Sequence, residues 1–483
     1  MMESLKKGER EKRHQANSEV VTRPDGSRVV RVRRRKRRSV QPHKRGARHD
    51  RRVGIVMVIL GVVVLLALAV GALLLVARFN SRSFREDLSR RAGRATGAEV
   101  ALEDLSVTPI RARASAARFE WPGNMFLKNL MLSNLMAELR LRSMFGETWS
   151  GEELLAQSGT LTLGWPRAES PPAAIEEAFP FIYDRYRCPK FEIRWSDRRD
   201  PPVRLYGSEV TLRRPPGAPM QVLLNGGRIA IRGWNEFLLD RGTTLFGSDR
   251  VELRSLRLHP ARGGGNILVR SNGPVRVGQP AFLWLQADGI PLSSLLGPGL
   301  GRLIDAKISS EGGSIECDPG PARSVAVRID FKGVEGQMED FLFLSNLQTT
   351  LRDSFFSKPT FDTVRGALRV DRSGMRLEDL KFEQRSLLVV RGSIAVSPGE
   401  ELSGTLEVGV SPNIMIPDTT GKKRWDAFSD PRDGYCWITV DLSGRLSDPK
   451  DDFSAKLYKA ARDAHPDGAR NRFEEAFDRL TEP

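Results

Sequence analysis

Beyond residue 79 the chain alternates apolar and polar residues with period two. FEIRW places Phe191, Ile193 and Trp195 on one face. VAVRIDF does the same with Val325, Val327, Ile329 and Phe331, leaving Arg328 and Asp330 opposite. ELSGTLEVGV sets Leu402, Leu406, Val408 and Val410 against Ser403, Thr405 and Glu407. WITVDLSGRL is the cleanest, with Ile438, Val440, Leu442 and Leu446 facing one way and Thr439, Asp441, Ser443 and Arg445 the other. Such alternation predicts strands of a sheet buried on a single face. Turns are predicted at Asn225-Gly226-Gly227, Arg372-Ser373-Gly374 and Ser397-Pro398-Gly399.

Helical pattern is scarce. SFREDLSRRAGRATG predicts a short amphipathic helix ending at Gly97. Further candidates are PPAAIEEAFPF near 171–181, PLSSLLGPGLGRL near 291–303, and Phe453 to Leu480, where Phe473, Phe477 and Leu480 share a face. Strands that do not alternate with helices of ten or more residues argue against a compact α/β enzyme. The expected fold class is mainly β with one transmembrane helix: a long, mostly antiparallel sheet with a few short helices.

That transmembrane helix is the run VGIVMVILGVVVLLALAVGALLLVA at Val53–Ala77, 25 residues without a charged or polar side chain. At about 1.5 Å per residue it spans roughly 37 Å, enough for a hydrocarbon core of about 30 Å. It follows 52 residues and is long for a signal sequence, so it reads as a retained anchor.

Charge divides the chain at that helix. Residues 1–52 hold 19 Lys and Arg against 6 Asp and Glu, a net of +13 out of the whole chain's +16. The positive-inside rule then puts the N-terminus in the cytoplasm and residues 79–483 across the membrane. Within the tail, Arg33, Arg34, Arg35, Lys36, Arg37 and Arg38 are the expected contacts to anionic lipid headgroups. No aromatic residue interleaves this run to stack bases, so nucleic acid is disfavoured. The expected organisation is a disordered basic tail (1–52), a membrane helix (53–78), a β-rich part (79–330), a second β region (331–450) and a helical tail (451–483).

Motifs for chemistry are missing from the sequence. Only His259 and His465 follow the membrane helix, and they stand far apart. Gly-rich RGGGN at 262–266 and GPGLG at 297–301 lack the flanking strand and helix of a phosphate loop and read as turns. Glu378, Asp379 and Glu383 read as solvated acids on a strand face rather than a glycosidase pair. Cys188, Cys317 and Cys436 show no ligand spacing and read as buried thiols, with one bridge and one cysteine left over as the alternative. No catalytic residue, metal site or cofactor is expected.

Residues 361–450 resemble the C-terminal region of the AsmA-like family of bacterial envelope proteins. The likeness lies in FDTVRGALRVDRSGMRLEDLKFEQRSLLVVRGSIAVSPGEELSGTLEVGVSPNI and in WITVDLSGRLSDP, whose Gly444, Leu446 and Pro449 are similar to the family's "G-x-L-x-x-P" ending. One membrane helix, a short helix and then GAEVALEDLSVTPIRARASAARFEW are similar to the family's opening. The resemblance implies a taco-like curved sheet with an apolar inner face, anchored in the inner membrane with its main domain in the periplasm. It also implies lipid handling or support of outer-membrane assembly, with phospholipids and other envelope proteins as partners. The alternative is a periplasmic scaffold that binds another envelope protein or a polysaccharide. An apolar sheet face with too few helices to cover it fits a binding groove. Its expected lining is Leu388, Val390, Ile394, Leu406, Val408, Ile438, Val440 and Leu442, although period two alone leaves open groove and closed core equally available.

Overall fold

The computed structural model describes residues 18–32, 44–121, 127–140, 148–164, 179–195, 203–215, 218–232, 234–247, 250–276, 279–318, 324–415, 427–429 and 431–464. They fall into two compact units, Met1–Leu74 and Leu75–Pro483.

In the first unit, β1 (Ser18–Thr22) and β2 (Arg28–Val32) pair antiparallel, with Val20 opposite Val30 and Val21 opposite Val29. Asp25 closes the turn by accepting from the Ser27 amide at 3.1 Å and its hydroxyl at 2.8 Å. This hairpin stands within the tail that was expected to lack fixed structure. Helix α1 (Lys44–Phe79) begins in this unit and ends in the second. Its stretch Val56–Phe79 is long and apolar enough to cross a membrane, with a mean hydropathy of 3.2 over its most apolar window.

The second unit opens with α2 (Arg82–Thr96), the helix predicted from SFREDLSRRAGRATG. Ser81 caps its start by accepting from the Phe84 amide at 3.3 Å, and Gly97 ends it at φ 67°, a left-handed conformation that glycine takes without steric cost. Leu88, Ala92 and Ala95 are its buried residues.

Twenty-three strands then form one continuous sheet, and strand accounts for 59% of the structure. The first seven are β3 (Glu99–Glu103), β4 (Ser106–Val107), β5 (Arg111–Glu120), β6 (Leu127–Glu138), β7 (Trp149–Leu163), β8 (Phe181–Trp195) and β9 (Val203–Arg213). Next come β10 (Met220–Asn225), β11 (Arg228–Ile231), β12 (Phe237–Phe246), β13 (Arg250–Pro260), β14 (Asn266–Ser271), β15 (Val275–Arg276) and β16 (Ala281–Pro291). Helix α3 (Ser293–Leu303) leads into β17 (Ile304–Asp318) and β18 (Ser324–Met338), and α4 (Leu342–Leu351) follows. The last strands are β19 (Thr360–Phe361), β20 (Thr363–Asp371), β21 (Gly374–Gln384), β22 (Leu388–Val396), β23 (Leu402–Val410), β24 (Cys436–Arg445) and β25 (Asp448–Asp451), before α5 (Phe453–Ala464).

Pairing is antiparallel throughout except for β7 with β8, which run parallel from Trp149↔Phe181 to Leu163↔Trp195. Pairing registers connect the strands from β3 and β4 through to β25, and none joins β25 back to β3. The sheet therefore has two ends, and both are protected against further pairing. At the first, the Asn80 amide mimics a neighbouring strand: it donates to the Val107 carbonyl at 2.9 Å and accepts from the Val107 amide at 2.8 Å. At the other, Lys456 of α5 donates to the Thr439 carbonyl at 2.9 Å and Asp452 accepts from the Asp441 amide.

Two local readings change. Asn225-Gly226-Gly227 makes no hairpin: β10 and β11 both pair with β9 and β12 in one direction and in one unbroken register, so the triplet is an interruption within a single line of strand. Gly226 and Gly227 sit at φ 64° and 108°, a left-handed conformation that suits glycine. GPGLG lies inside α3, where Gly297 (φ 71°, ψ 178°) and Pro298 kink the helix instead of forming a surface turn. The turns at Ser373 and at Ser397-Pro398-Gly399 stand as expected, between β20 and β21 and between β22 and β23. The boundary expected between residues 330 and 331 falls in the middle of β18, across which the sheet continues unbroken. Residues 165–178 and 465–483, which hold most of the first candidate helix together with His465, Phe473, Phe477 and Leu480, lie outside the described residues.

Candidate functional site

One face of the sheet is charged and solvated. Cross-strand and same-strand ion pairs line it: Arg187–Glu209 at 2.6 Å, Arg204 and Arg194 on Glu192, Arg369–Glu378 at 2.8 Å and Arg391–Glu407 at 2.6 Å. Glu378 and Glu383 are each held by a cation, Arg369 and Lys381, while Asp379 is exposed on a bulge at φ 50°. Trp437 is buried on this face beneath the guanidinium of Arg391, at 4.1 Å from its ring centre. Among the described residues, no cluster of three His, Cys, Asp or Glu could hold a metal ion. Cys188 and Cys436 are buried and Cys317 half-buried, and no disulfide joins them.

The opposite face is apolar from end to end, and it takes two forms. From β16 onward it is covered. Helix α3 contributes Leu295, Leu296, Leu300 and Leu303, and α4 contributes Phe343, Leu344 and Leu347, each no more than 3% exposed. Full burial of such a side chain is worth about 1.5–3 kcal/mol. Phe356, Phe361, Phe382, Phe428 and Phe453 complete the same cluster.

All eight residues expected to line a lipid groove belong to this cluster. Val390, Val408 and Ile438 stand in register, as do Leu406 with Val440, and Leu388 with Val410. Leu388, Leu406, Val408 and Val440 are fully buried, and Val390, Ile394, Ile438 and Leu442 are at most 4% exposed. The sequence pattern brings them onto one face as expected, but they form a closed core and no open lining. Helices α3 and α4 and the buried phenylalanines cap the face. The tail residues Arg33, Arg34, Arg35, Lys36, Arg37 and Arg38 lie outside the described residues.

A track that the sequence did not single out runs along this face, half-buried across β7–β13 and packed against the covered core from Leu253 onward. It starts at the cluster where Phe79, the last residue of the apolar span, packs with Leu88, Val107, Ala112, Ala137 and Trp149. Registered neighbours then carry it from strand to strand: Val107–Ala112–Ala137–Leu154–Tyr186–Leu212–Val222–Thr244–Leu253. Ser271 bridges the next step, its hydroxyl accepting from the Leu253 amide at 3.0 Å. Beyond it run Leu283, Ile315, Val327, Val370, Met375, Val396 and Leu402. At roughly 4.8 Å per strand the contour is about 75 Å.

From Leu154 to Met375 every member of this track is half-buried, neither sealed like the core nor fully in water. Thr244 and Ser271 are its polar interruptions, together with the Tyr186 phenol, which donates to the Phe181 carbonyl at 2.8 Å. Beneath the start of the track, the Tyr183 hydroxyl is buried without a partner, and burial raises its pKa well above the usual phenol range. A surface of this kind offers dispersion contact and water exclusion along a line and supplies no acid, base or nucleophile. Comparison with protein-family models, with curated proteins and with solved structures finds no match for this chain.

Proposed function

We propose that the protein is a membrane-anchored lipid-handling component of a bacterial envelope, in which the half-buried apolar track shelters acyl chains. The N-terminal tail lies on the cytoplasmic side and residues 79–483 lie across the inner membrane, in the periplasm. The observation that carries this reading is the continuity of the track from the packing around Phe79 to Val222, a line of apolar side chains that begins where the apolar span ends. Leaving such a line in water is unfavourable, and each methylene of an acyl chain laid against it gains about 0.8 kcal/mol. The asymmetry of Lys and Arg around α1 supports the orientation. The likeness of residues 361–450 to AsmA-like envelope proteins supports the envelope role.

A photoreactive amino acid placed at Leu212 or Val222 of the full chain tests this in intact membranes. Phospholipid adducts are expected at both positions and none at Val440, which separates lipid on the track from lipid around the membrane helix. Adducts to protein alone at the track positions would replace lipid handling with the scaffold reading. For orientation, a reporter active only outside the cytoplasm should work when fused after Pro483 and fail when fused before Met1.

A further inference from the structure

Helix α2 and strand β3 flank an open cleft of about 690 Å3, lined by arginines and Glu86 from the helix and by Glu99 and apolar residues from the strand. Arg85, Arg90 and Arg94 line it from the helix, while Val100 and Leu102 line it from the strand. Resting on the lipid reading above, we propose that this cleft binds the phosphate of an anionic phospholipid headgroup, selecting the lipid whose chains enter the adjacent track.

Three observations carry the assignment. First, the Arg85 guanidinium is unmatched: it makes no ion pair among the described residues, and its Nε is buried without a hydrogen-bond partner. A half-buried guanidinium that lines the cleft without a carboxylate partner among the described residues presents a fork whose geometry a phosphate oxygen fits. The other cations of the helix are better matched, since Arg82 binds Glu86 at 2.8 Å and Arg91 binds Asp87 at 2.7 Å. Arg90 reaches Asp87 only at 3.7 Å and is 65% exposed at its side chain. The carboxylates at the rim are Glu86, already engaged by Arg82, and Glu99, so the lining carries a net charge of +1 from three arginines against two acids.

Second, the apolar wall belongs to the track face. Val100 is paired with Phe119 and Leu102 with Ala117, and both pack on the cluster of Ala98, Ala117 and Phe119. Leu102 and Leu135 also pack against the cluster around Phe79, where the track starts. A headgroup held by Arg85 therefore has apolar surface leading away from it.

Third, the cleft is close to the bilayer by chain length. Arg85 follows Phe79 by six residues, a reach of about 20 Å at most. Basic side chains at that distance from an apolar span meet the headgroup layer, where anionic lipid is attracted by surface charge.

The test titrates the full chain in neutral detergent with short-chain phosphatidylglycerol, short-chain phosphatidylcholine and inorganic phosphate, followed by calorimetry. The proposal expects phosphatidylglycerol to bind about tenfold more tightly than phosphatidylcholine. R85Q combined with R90Q should abolish that preference, weakening phosphatidylglycerol more than phosphatidylcholine, whose phosphate is already neutralised by its own choline, and R85K should keep part of it. An unchanged unfolding midpoint shows that the variants fold. Equal affinity for the two lipids in the native chain overturns the headgroup site and leaves the acyl track standing. Binding of neither lipid removes both. Inorganic phosphate competing as well as phosphatidylglycerol makes this a site for free anions and overturns the lipid assignment.

Discussion

The two halves of the sheet are written in the same period-two pattern and end in opposite states. In β20–β24 the inner face is sealed, with Leu368, Leu377, Phe382, Leu406 and Val440 all at or near zero exposure. In β7–β13 the same face shows Leu154, Leu161, Ile193, Leu212, Val222 and Leu253 half-buried. The difference comes from what is inserted between strands. The C-terminal half receives two apolar helices, α3 and α4, and large aromatic side chains that fill the space above the sheet. Among the described residues of the N-terminal half, the connections between β8 and β14 contain no helix. A strand pattern fixes which way a side chain points, while cover is decided by residues elsewhere in the chain.

The largest effect that could break this contrast is a charge on each floor. Val440→Asp places a carboxylate where nothing can solvate or pair it, and should destabilise the second unit by about 4 kcal/mol or more. Leu212→Asp can turn its carboxylate towards water and should cost about 1 kcal/mol, while lowering the yield of lipid adducts at Val222. Thermal unfolding of the two variants measures the difference. If Leu212→Asp unfolds the protein as readily as Val440→Asp, the N-terminal floor is as closed as the core and the contrast fails.

That pair of residues also shows how far the sequence could be read. The facing of Val440 was legible, since Ile438, Val440 and Leu442 alternate with Thr439 and Asp441. Its cover was not, because α3 and α4 are short, and the GPGLG of α3 reads as a turn by glycine and proline content. Leu212 was missed for the opposite reason. EVTLR at the end of β9 offers only Val210 and Leu212 before the polar Arg213, and the role of Leu212 appears only once Tyr186 and Val222 stand beside it in register. The left-handed glycines of Asn225-Gly226-Gly227 hid the continuity of β10 and β11, since the same triplet would serve a hairpin turn. Helix α2, with its cap glycine, and the membrane span were legible because their signals are local.

A smaller effect should appear where the track begins. Asn80 bonds both backbone groups of Val107 and also donates to the Val76 carbonyl at 2.7 Å, so one side chain ties the last turn of α1 to the first end of the sheet. Asn80→Ala leaves a buried amide and carbonyl of Val107 unmatched, at a cost of about 1–3 kcal/mol. Amide exchange should accelerate across β4 and β5 and stay unchanged in β22–β24. Uniform acceleration would mean that the two halves unfold as one and do not differ in local stability.

The smallest effect is a difference in sign with pH. In the open half, Glu192 accepts from Arg194 and Arg204 on the charged face, and these bonds, that from Arg194 foremost, hold its pKa below the usual carboxylate range. Its contribution is therefore present above the unfolded pKa and lost as pH falls through the lower folded value. In the covered half, Asp451 accepts from the Phe343 amide at 2.6 Å and the Phe453 amide at 3.2 Å, joining the starts of α4 and α5. Burial outweighs those bonds and raises its pKa. Its contribution is complete below the unfolded pKa and fades as pH rises through the raised folded value. Acid thus weakens the outer face of β8 while favouring the junction of the two helices. Glu192→Gln should flatten the loss of stability on acidification below about pH 4, and Asp451→Asn should flatten the loss on raising pH above about 4. Unfolding midpoints measured from pH 3 to pH 7 read both slopes, each worth about 1 kcal/mol or less because Glu192 and Asp451 retain partial access to water. Slopes of the same sign would show that the environments of the two carboxylates do not differ as the two halves of the sheet do.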